Sequence, residues 1–256
     1  MPANLAEATV IDASGVHYRQ LNELIREALE SGANQIKLEG VNGQRFIGAG
    51  LVSEARLEID GVPGNDLAVF MDGPTIVCKG NVQDGSANTM NSGTVVIHGN
   101  AGDVLGYGMR GGKLFIRGSV GYRVGIHMKE FGEKVPVMIV GGRAGNFLGE
   151  YMAGGVLCVL GLDVAANESV VGNYCGTGMH GGLMFIRQPI EDWQVGKEVG
   201  FADVDQDDID MLMPHIDSYC ENFGGDPEDL RQMLEDGLIA KLYPFSKRPY
   251  GNLYAY

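Results

Sequence analysis

The sequence has few cysteines and few positive charges, and each shortage excludes a class of function. Its four cysteines, Cys78, Cys158, Cys175 and Cys220, are far apart and form no C-x-x-C pair. Zinc and iron–sulfur sites usually show close cysteine spacing, so we expect no metal centre in this chain. The 19 Lys and Arg are outnumbered by 33 Asp and Glu. This balance argues against binding of nucleic acid.

The sequence also has no apolar run of 18 residues, no signal-peptide pattern and no polybasic anchor. These features favour a cytoplasmic protein. The net charge of −14 is unevenly distributed. Residues 61–190 are neutral, with nine acids and nine bases, whereas residues 191–256 carry 15 acids and five bases. The acidity therefore belongs mainly to the C-terminal tail.

Glycine is abundant, with 40 residues among 256, against a usual share of ~7 %. The glycines belong to a repeat of about 19 residues that reads Met-x-Gly-Gly, a short apolar strand and a turn glycine. The methionines of this repeat are Met71, Met90, Met109, Met152 and Met179. The turn glycines are Gly40, Gly61, Gly80, Gly99, Gly118, Gly142 and Gly161. A fixed period near 20 residues with one strand signal per period is typical of a solenoid.

Short strands that are not joined by two-residue hairpin turns predict a right-handed parallel β-helix of about seven to eight coils. Its eighth strand is Leu183–Arg187, where Gln188 replaces the turn glycine. We predict three parts: a helical N-terminal segment over 1–35, the β-helix over 36–190 and an acidic helical tail over 191–256. Two coils carry insertions, near residues 129–135 and 162–175, and such insertions often contact partners.

Both faces of most predicted strands are apolar. The outer row reads Glu58, Val77, Val96, Phe115, Ile139, Cys158 and Phe185. A strand with one solvated face should alternate apolar with polar residues, so we expect this row to be covered. The cover is either the chain's own terminal segments or another subunit.

Three helices are predicted outside the repeats. Tyr18–Ser31 has an apolar face and a Gly stop, and Asp205–Tyr219 and Pro227–Leu242 are acidic. The stretch Pro244–Gly251 is predicted to be extended. The acid-rich run from Asp203 to Asp210 lacks the spacing of a calcium loop and is interpreted as a helix N-terminus.

Two segments match the dinucleotide fingerprint: Gly106–Gly111 and Gly176–Gly181. Nucleotide binding needs a helix after these glycines, but each match precedes a predicted strand, at the same phase of the repeat. We therefore interpret both as turn glycines. The recurring methionines are interpreted as core filler rather than metal ligands.

One row of charged residues resembles the active faces of carbohydrate-cleaving β-helices: Asp60, Lys79, His98 and Arg117. It ends at Gly141 and Leu160 and lacks paired carboxylates. We therefore favour a solvated ridge or a contact with a subunit over catalysis. His127 and His180 have no evident Cys or Asp partner for nucleophilic chemistry. No catalytic, cofactor-binding or metal-binding residue is assigned from the sequence.

Residues 101–118 (AGDVLGYGMRGGKLFIRG) and 144–161 (AGNFLGEYMAGGVLCVLG) resemble the GXGXG domain, the C-terminal β-helix of the glutamate synthase large subunit. The β-helix subunit of formylmethanofuran dehydrogenase is also similar. Residues 41–51 (VNGQRFIGAGL) are more similar to the glutamate synthase form. The tail resembles free-standing versions in which the large subunit is split into separate polypeptides.

The resemblance implies a non-catalytic scaffold subunit of a split glutamate synthase-like complex, acting in glutamate biosynthesis. Its partners would be a glutamine amidotransferase subunit and an FMN/Fe–S synthase subunit, so FMN and the iron–sulfur cluster are expected on the partners. The alternatives are a formylmethanofuran dehydrogenase-type complex, an N-methylglutamate synthase-type complex and, from the charged row alone, a β-helix enzyme acting on carbohydrate.

Overall fold

The structure is a computed structural model that describes residues 8–245. Its centre is a β-helix of about six turns. Nine parallel strands form one face of this β-helix: β1 (Thr9–Asp12), β2 (Gln35–Asn42), β3 (Arg56–Val62), β4 (Thr75–Cys78), β5 (Thr94–Ile97), β6 (Lys113–Ile116), β7 (Val137–Val140), β8 (Ala153–Val159) and β9 (Gly181–Arg187). The strands lie in chain order, so each coil adds one strand beside the last.

The parallel β-helix predicted from the repeat is confirmed, with fewer coils than the seven to eight expected. The last predicted coil is not completed, because the chain leaves β9 for the short 3₁₀ helix Asp192–Gln194. Two further strands, β10 (Val199–Ala202) and β11 (Ile239–Pro244), then close this end of the sheet. β11 pairs antiparallel with β9, and β10 pairs antiparallel with β11.

The methionine repeat forms an internal column. Met71, Met90, Met109, Met152 and Met179 are all fully buried in one continuous core, as predicted. Met128 occupies the equivalent place in its coil, and Leu51 does so in the first coil. The inner residues of the strands stack beside this column, for example Ile76, Val95 and Leu114.

Helix α1 (Tyr18–Glu30) closes the N-terminal end of the β-helix. Leu21 and Ile25 are buried against the first coil. The Arg26 guanidinium donates to the Ala49 carbonyl at 2.7 Å, which fixes the helix across the coil. The predicted bounds of this helix are correct within one residue, but strand β1, which precedes it and pairs with β2, was not predicted.

The C-terminal region covers the outer face of the strands. Helix α2 (Gln206–Phe223), helix α3 (Pro227–Glu235) and strand β11 form a unit that we call the C-terminal cover. The apolar side chains of α2, including Ile209, Leu212 and Ile216, pack on the outer row from Val77 to Phe185. The outer row is thus covered by the chain's own C-terminal segment, which was one of the two alternatives.

The cover begins at the coil where the outer row becomes apolar. On the preceding strands the equivalent positions are Lys37 and Glu58, and both remain partly exposed. The change from Glu58 to Val77 therefore marks the edge of the cover in the sequence.

One helix prediction was wrong. Residues 227–242 were predicted as a single helix, but α3 ends at Glu235 and β11 begins at Ile239. Gly237, at φ 69°, turns the chain between them. Pairing with the open edge of β9 outweighs helix propensity here, because that edge would otherwise leave its backbone groups unpaired. The predicted extended stretch 244–251 lies outside the described residues after Phe245.

Candidate interaction surface

The predicted charged row is stacked as expected. The amides of Lys79, His98 and Arg117 each donate to the carbonyl before the equivalent residue of the preceding coil, at 2.9–3.0 Å. The row begins at Asp60 and continues to Gly141 and Leu160. It runs along the side of the sheet on which the C-terminal cover lies.

The middle of this row contacts the cover rather than an open face. His98 meets Phe223, the last residue of α2, in an edge-on contact with the ring centroids 5.1 Å apart. Burial lowers the pKa of His98, and the neighbouring charges of Lys79 and Arg117 lower it further. The contact with Phe223 makes His98 a packing residue, and its charged form is disfavoured there.

The row ends at Gly141 because of Tyr219. A Cβ at position 141 would collide with the Tyr219 hydroxyl and with the Arg117 carbonyl. The Tyr219 ring packs edge-on against Phe115 of the outer row, with the centroids 6.3 Å apart. Gly141 therefore interrupts the charged row at the place where the Tyr219 ring of α2 packs.

The two glycine-rich matches to a dinucleotide motif are turns of the β-helix, as interpreted from the sequence. Gly106 and Gly108 have φ values of 63° and 56°, and the chain continues into β6. Gly176 and Gly178 have φ values of 68° and 72°, and β9 follows.

These turns belong to a larger feature that was not predicted, which we call the turn wall. Seven successive sequence repeats each have three left-handed residues at positions i, i+2 and i+4, immediately before the buried methionine column, with φ between 50° and 77°. The first column is Phe46, Asp66, Gly85, Val104, Arg123, Phe147 and Tyr174. The second is Gly48, Ala68, Ala87, Gly106, Gly125, Gly149 and Gly176. The third is Gly50, Phe70, Thr89, Gly108, His127, Tyr151 and Gly178.

The middle column of the turn wall accepts only small residues because it faces the core. A Cβ at Gly125 would lie 2.5 Å from the side chain of Leu157, and one at Gly48 would lie 2.6 Å from Ile76. The first and third columns face outward and carry bulky residues. All twelve non-glycine residues with positive φ among residues 8–245 belong to the turn wall.

Polar side chains at the edge of the turn wall accept hydrogen bonds from backbone amides. The Asn81 side-chain carbonyl accepts from the amide of Asn100, and Asn100 accepts from the amide of Ser119, both at 2.8 Å. Asp84 and Asp103 accept in the same way from the next coil, at 2.9 and 2.8 Å. These carboxylates satisfy amides that the strands do not pair.

The remaining candidates also have structural contacts. His127 stacks on Tyr151 with the ring centroids 5.4 Å apart, and His180 Nδ1 lies 3.1 Å from the Gly178 carbonyl. Asp205 is the N-cap of α2, and Lys241 binds Asp208 at 2.7 Å. The hydrogen bond from the Asp208 amide lowers the pKa of Asp205. Burial raises the pKa of the Cys158 and Cys175 thiols to about 12 and that of Cys78 to about 11.

Within residues 8–245, no group of three His, Cys, Asp or Glu side chains is close enough to hold a metal ion. The helices of the same part of the chain are too short or too polar to cross a bilayer. A groove of about 620 Å³ lies between α3 and the β9–β11 end of the sheet. Its charged lining residues are all acidic: Asp192, Asp203, Glu235 and Asp236.

Known proteins resemble this chain over nearly its full length. A protein of Methanocaldococcus jannaschii, itself described as uncharacterised, is 47 % identical over 253 residues, which cover 97 % of each chain. A chain in the crystal structure of a formyltransferase/hydrolase complex from Methylorubrum extorquens, in complex with methylofuran, has the same fold. The TM-score is 0.60 and the identity 18 %, with 89 % of both chains covered. The family model described as the GXGXG motif matches residues 19–236, a span that includes every coil of the turn wall. The chain is a member of the GXGXG motif family.

Proposed function

We propose that this chain is a non-catalytic scaffold subunit of a multi-subunit enzyme complex. The observation that carries the proposal is that the polar side chains considered as candidates in the sequence make structural contacts. His98 packs under α2, Asp84 and Asp103 bind backbone amides, and Asp208 binds Lys241. A rigid stack of coils of this kind offers long binding surfaces.

The three parts of the chain have different roles in this proposal. Residues 8–35 close one end of the β-helix, and residues 36–190 form the rigid body. Within the acidic C-terminal region, α2, α3 and β11 cover the outer row of the strands. No cofactor is assigned to the chain, and the chemistry belongs to the partner subunits in the cytoplasm.

The first candidate complex is glutamate synthase-like, with a glutamine amidotransferase subunit and an FMN/Fe–S synthase subunit as partners. It is supported by membership of the GXGXG motif family and by the similarity of residues 41–51 to the glutamate synthase form. An N-methylglutamate synthase-type complex is a related alternative to this candidate.

The second candidate is a formylmethanofuran dehydrogenase-type complex. It is supported by the fold of the chain in the formyltransferase/hydrolase complex, which covers 89 % of each chain. The two candidates predict different partners for the same scaffold.

Affinity purification of the tagged, full-length chain from its own cells separates these possibilities. A co-purifying glutamine amidotransferase and flavoprotein would support the first candidate, and a co-purifying formyl-transferring metalloenzyme would support the second. Mass spectrometry identifies the subunits, and absorbance spectra locate flavin or iron–sulfur centres. Recovery of the chain as a monomer without any partner would contradict the scaffold proposal.

A further inference from the structure

The groove beside α3, which we call the acidic groove, lies where three connections of the C-terminal region meet. It is lined by the chain that leaves β9, by the end of β10 and by the turn between α3 and β11. Strand β10 is the last strand of the sheet within the described residues. Edge strands pair readily with segments of other chains, so one side of the groove offers backbone groups as well as side chains.

Every charged residue in the lining of the acidic groove is acidic and exposed: Asp192, Asp203, Glu235 and Asp236. Within residues 8–245 none of the four forms an ion pair. Among their carboxylates only that of Asp236 accepts a hydrogen bond from the same part of the chain, from the Gln232 amide group at 2.8 Å. The groove therefore presents four carboxylates that the described residues leave uncompensated.

The basic residues of the surrounding elements are engaged elsewhere. Lys241 and Arg231 form ion pairs with carboxylates of α2 and α3, at 2.7 and 3.4 Å. The Arg187 guanidinium is buried and donates to two carbonyls of the insertion near 162–175, both at 3.2 Å. Lys197 lies before β10, at the opposite end of that strand from the groove. The negative charge of the groove is thus available to a separate cation.

Large apolar side chains are exposed next to these carboxylates. Trp193, the one tryptophan of the chain, follows Asp192 and is 70 % exposed. Phe201 lines the groove and is 38 % exposed, and Leu238, in the turn between α3 and β11, is 50 % exposed. Tryptophan is among the residues most enriched at the energetic centres of protein interfaces. The combination fits a protein partner, since a small cation makes no use of apolar surface.

We infer that the acidic groove is the docking site for a basic, extended segment of another subunit of the complex. Lys or Arg side chains of that segment face the four carboxylates, and an apolar side chain packs against Trp193. Opposite charges across an interface select the partner and speed its association. The inference rests on the proposed scaffold function and adds to it which end of the β-helix binds and what charge the partner carries.

The position of the groove favours a separate polypeptide over the chain's own last residues. Residues 246–256 include Lys247 and Arg248 and are therefore the competing occupant. However, β11 begins in the lining of the groove at Ile239 and runs away from it to Pro244. The chain thus leaves this strand at the end far from the four carboxylates.

Site-specific photocrosslinking in the native complex tests the inference. A photoreactive phenylalanine analogue replaces Trp193 or Leu238 in the tagged, full-length chain, and Tyr122, which is exposed on the turn wall, is the control position. We expect positions 193 and 238 to crosslink to a different polypeptide, within a stretch rich in Lys and Arg. Crosslinks to residues 246–256 or to a second copy of the chain, or no crosslink from either position in an intact complex, would overturn the inference while leaving the scaffold proposal intact. Purification without any partner would overturn both.

Charge variants separate the groove from the general acidity of the C-terminal region. Asp203→Asn/Glu235→Gln removes two charges from the groove, and Asp217→Asn/Glu221→Gln removes two from the exposed side of α2 as the matched control. We expect the affinity of the groove variant for the crosslinked subunit to fall at least about tenfold at low salt, and that of the control by less than about twofold. The difference should disappear at about 1 M salt, where the screening length is about 3 Å.

The thermal midpoint of each free variant shows whether its fold is intact. All four substituted residues are exposed, so we expect both midpoints to stay within about 2 °C of that of the parent chain. Equal losses of affinity in the two variants would show an effect of net charge alone and would contradict docking in the groove.

Discussion

At the scale of single residues, the structure explains interruptions in the repeat as contacts with the C-terminal cover. Gly141 breaks the charged row because Tyr219 occupies the space above it. The Tyr219 hydroxyl is buried and has no hydrogen-bond partner within the described residues. Burial also raises the pKa of this tyrosine, since the ionised form would be still less favourable there.

The orphaned hydroxyl predicts that Tyr219→Phe stabilises the protein. Removing a buried polar group without a partner should increase the free energy of unfolding by about 1 kcal/mol. Gly141→Ala should do the opposite and cost about 1–3 kcal/mol, because its Cβ displaces the same ring. Urea denaturation followed by circular dichroism measures both. A loss of stability in Tyr219→Phe would indicate a bound water or partner at the hydroxyl.

Two histidines predict a loss of stability in weakly acidic solution. Burial lowers the pKa of His98 and of His215, and Lys113 adds to the effect at His215. In the unfolded chain both titrate near the ordinary value of about 6.5. As the pH falls below that value the unfolded state binds protons first, so the free energy of unfolding decreases. The double variant His98→Gln/His215→Gln should show a smaller decrease between about pH 7.5 and pH 5. An unchanged pH profile would contradict this assignment.

At the scale of elements, the C-terminal cover buries the outer face of the sheet, which would otherwise be exposed to water. Its helix α2 has a buried side and an acidic side, and the buried side includes Leu212, which is fully buried against the strands. Helix α2 begins at the N-cap Asp205, where the side chains of Asp205 and Asp208 each accept a hydrogen bond from the backbone amide of the other. The apolar outer row is thus matched by a complementary helix in the same chain.

The packing of the cover predicts a large difference between two substitutions on α2. Leu212→Ala should reduce the free energy of unfolding by about 2–5 kcal/mol, because it leaves a cavity in a closed contact. Asp217→Ala on the exposed side should change it by less than about 0.5 kcal/mol. Chemical denaturation compares the pair. Equal effects would mean that α2 does not rest on the strands.

The elements also show how far the sequence determines the structure. The strands, the buried methionine column and helix α1 could be predicted, because periodicity reports directly on burial. The break between α3 and β11 could not, since an open sheet edge elsewhere in the chain decides it. The turn wall is only half visible in the sequence: its glycines indicate turns, but Phe147 or Tyr151 gives no local sign of a left-handed backbone. Aligning the positions one, three and five residues before each buried methionine would have found it.

At the scale of the whole molecule, the chain has two contrasting sides. The strand side is covered by the chain's own acidic segment, and the turn wall carries exposed aromatic residues such as Phe70 and Tyr174. Both sides are built on one continuous core. A partner bound to one side is therefore held at a defined distance from the opposite side. This rigidity is the property that a scaffold subunit requires.

The scaffold proposal is tested most directly by omitting this chain from the reconstituted complex. The partial reactions of the separate partner subunits and the coupled overall reaction are then measured with and without it. We predict that the partial reactions keep their rates, whereas the coupled reaction falls to background and recovers when the chain is added back. Loss of a partial reaction on omission would contradict the proposal, as would turnover by the isolated chain.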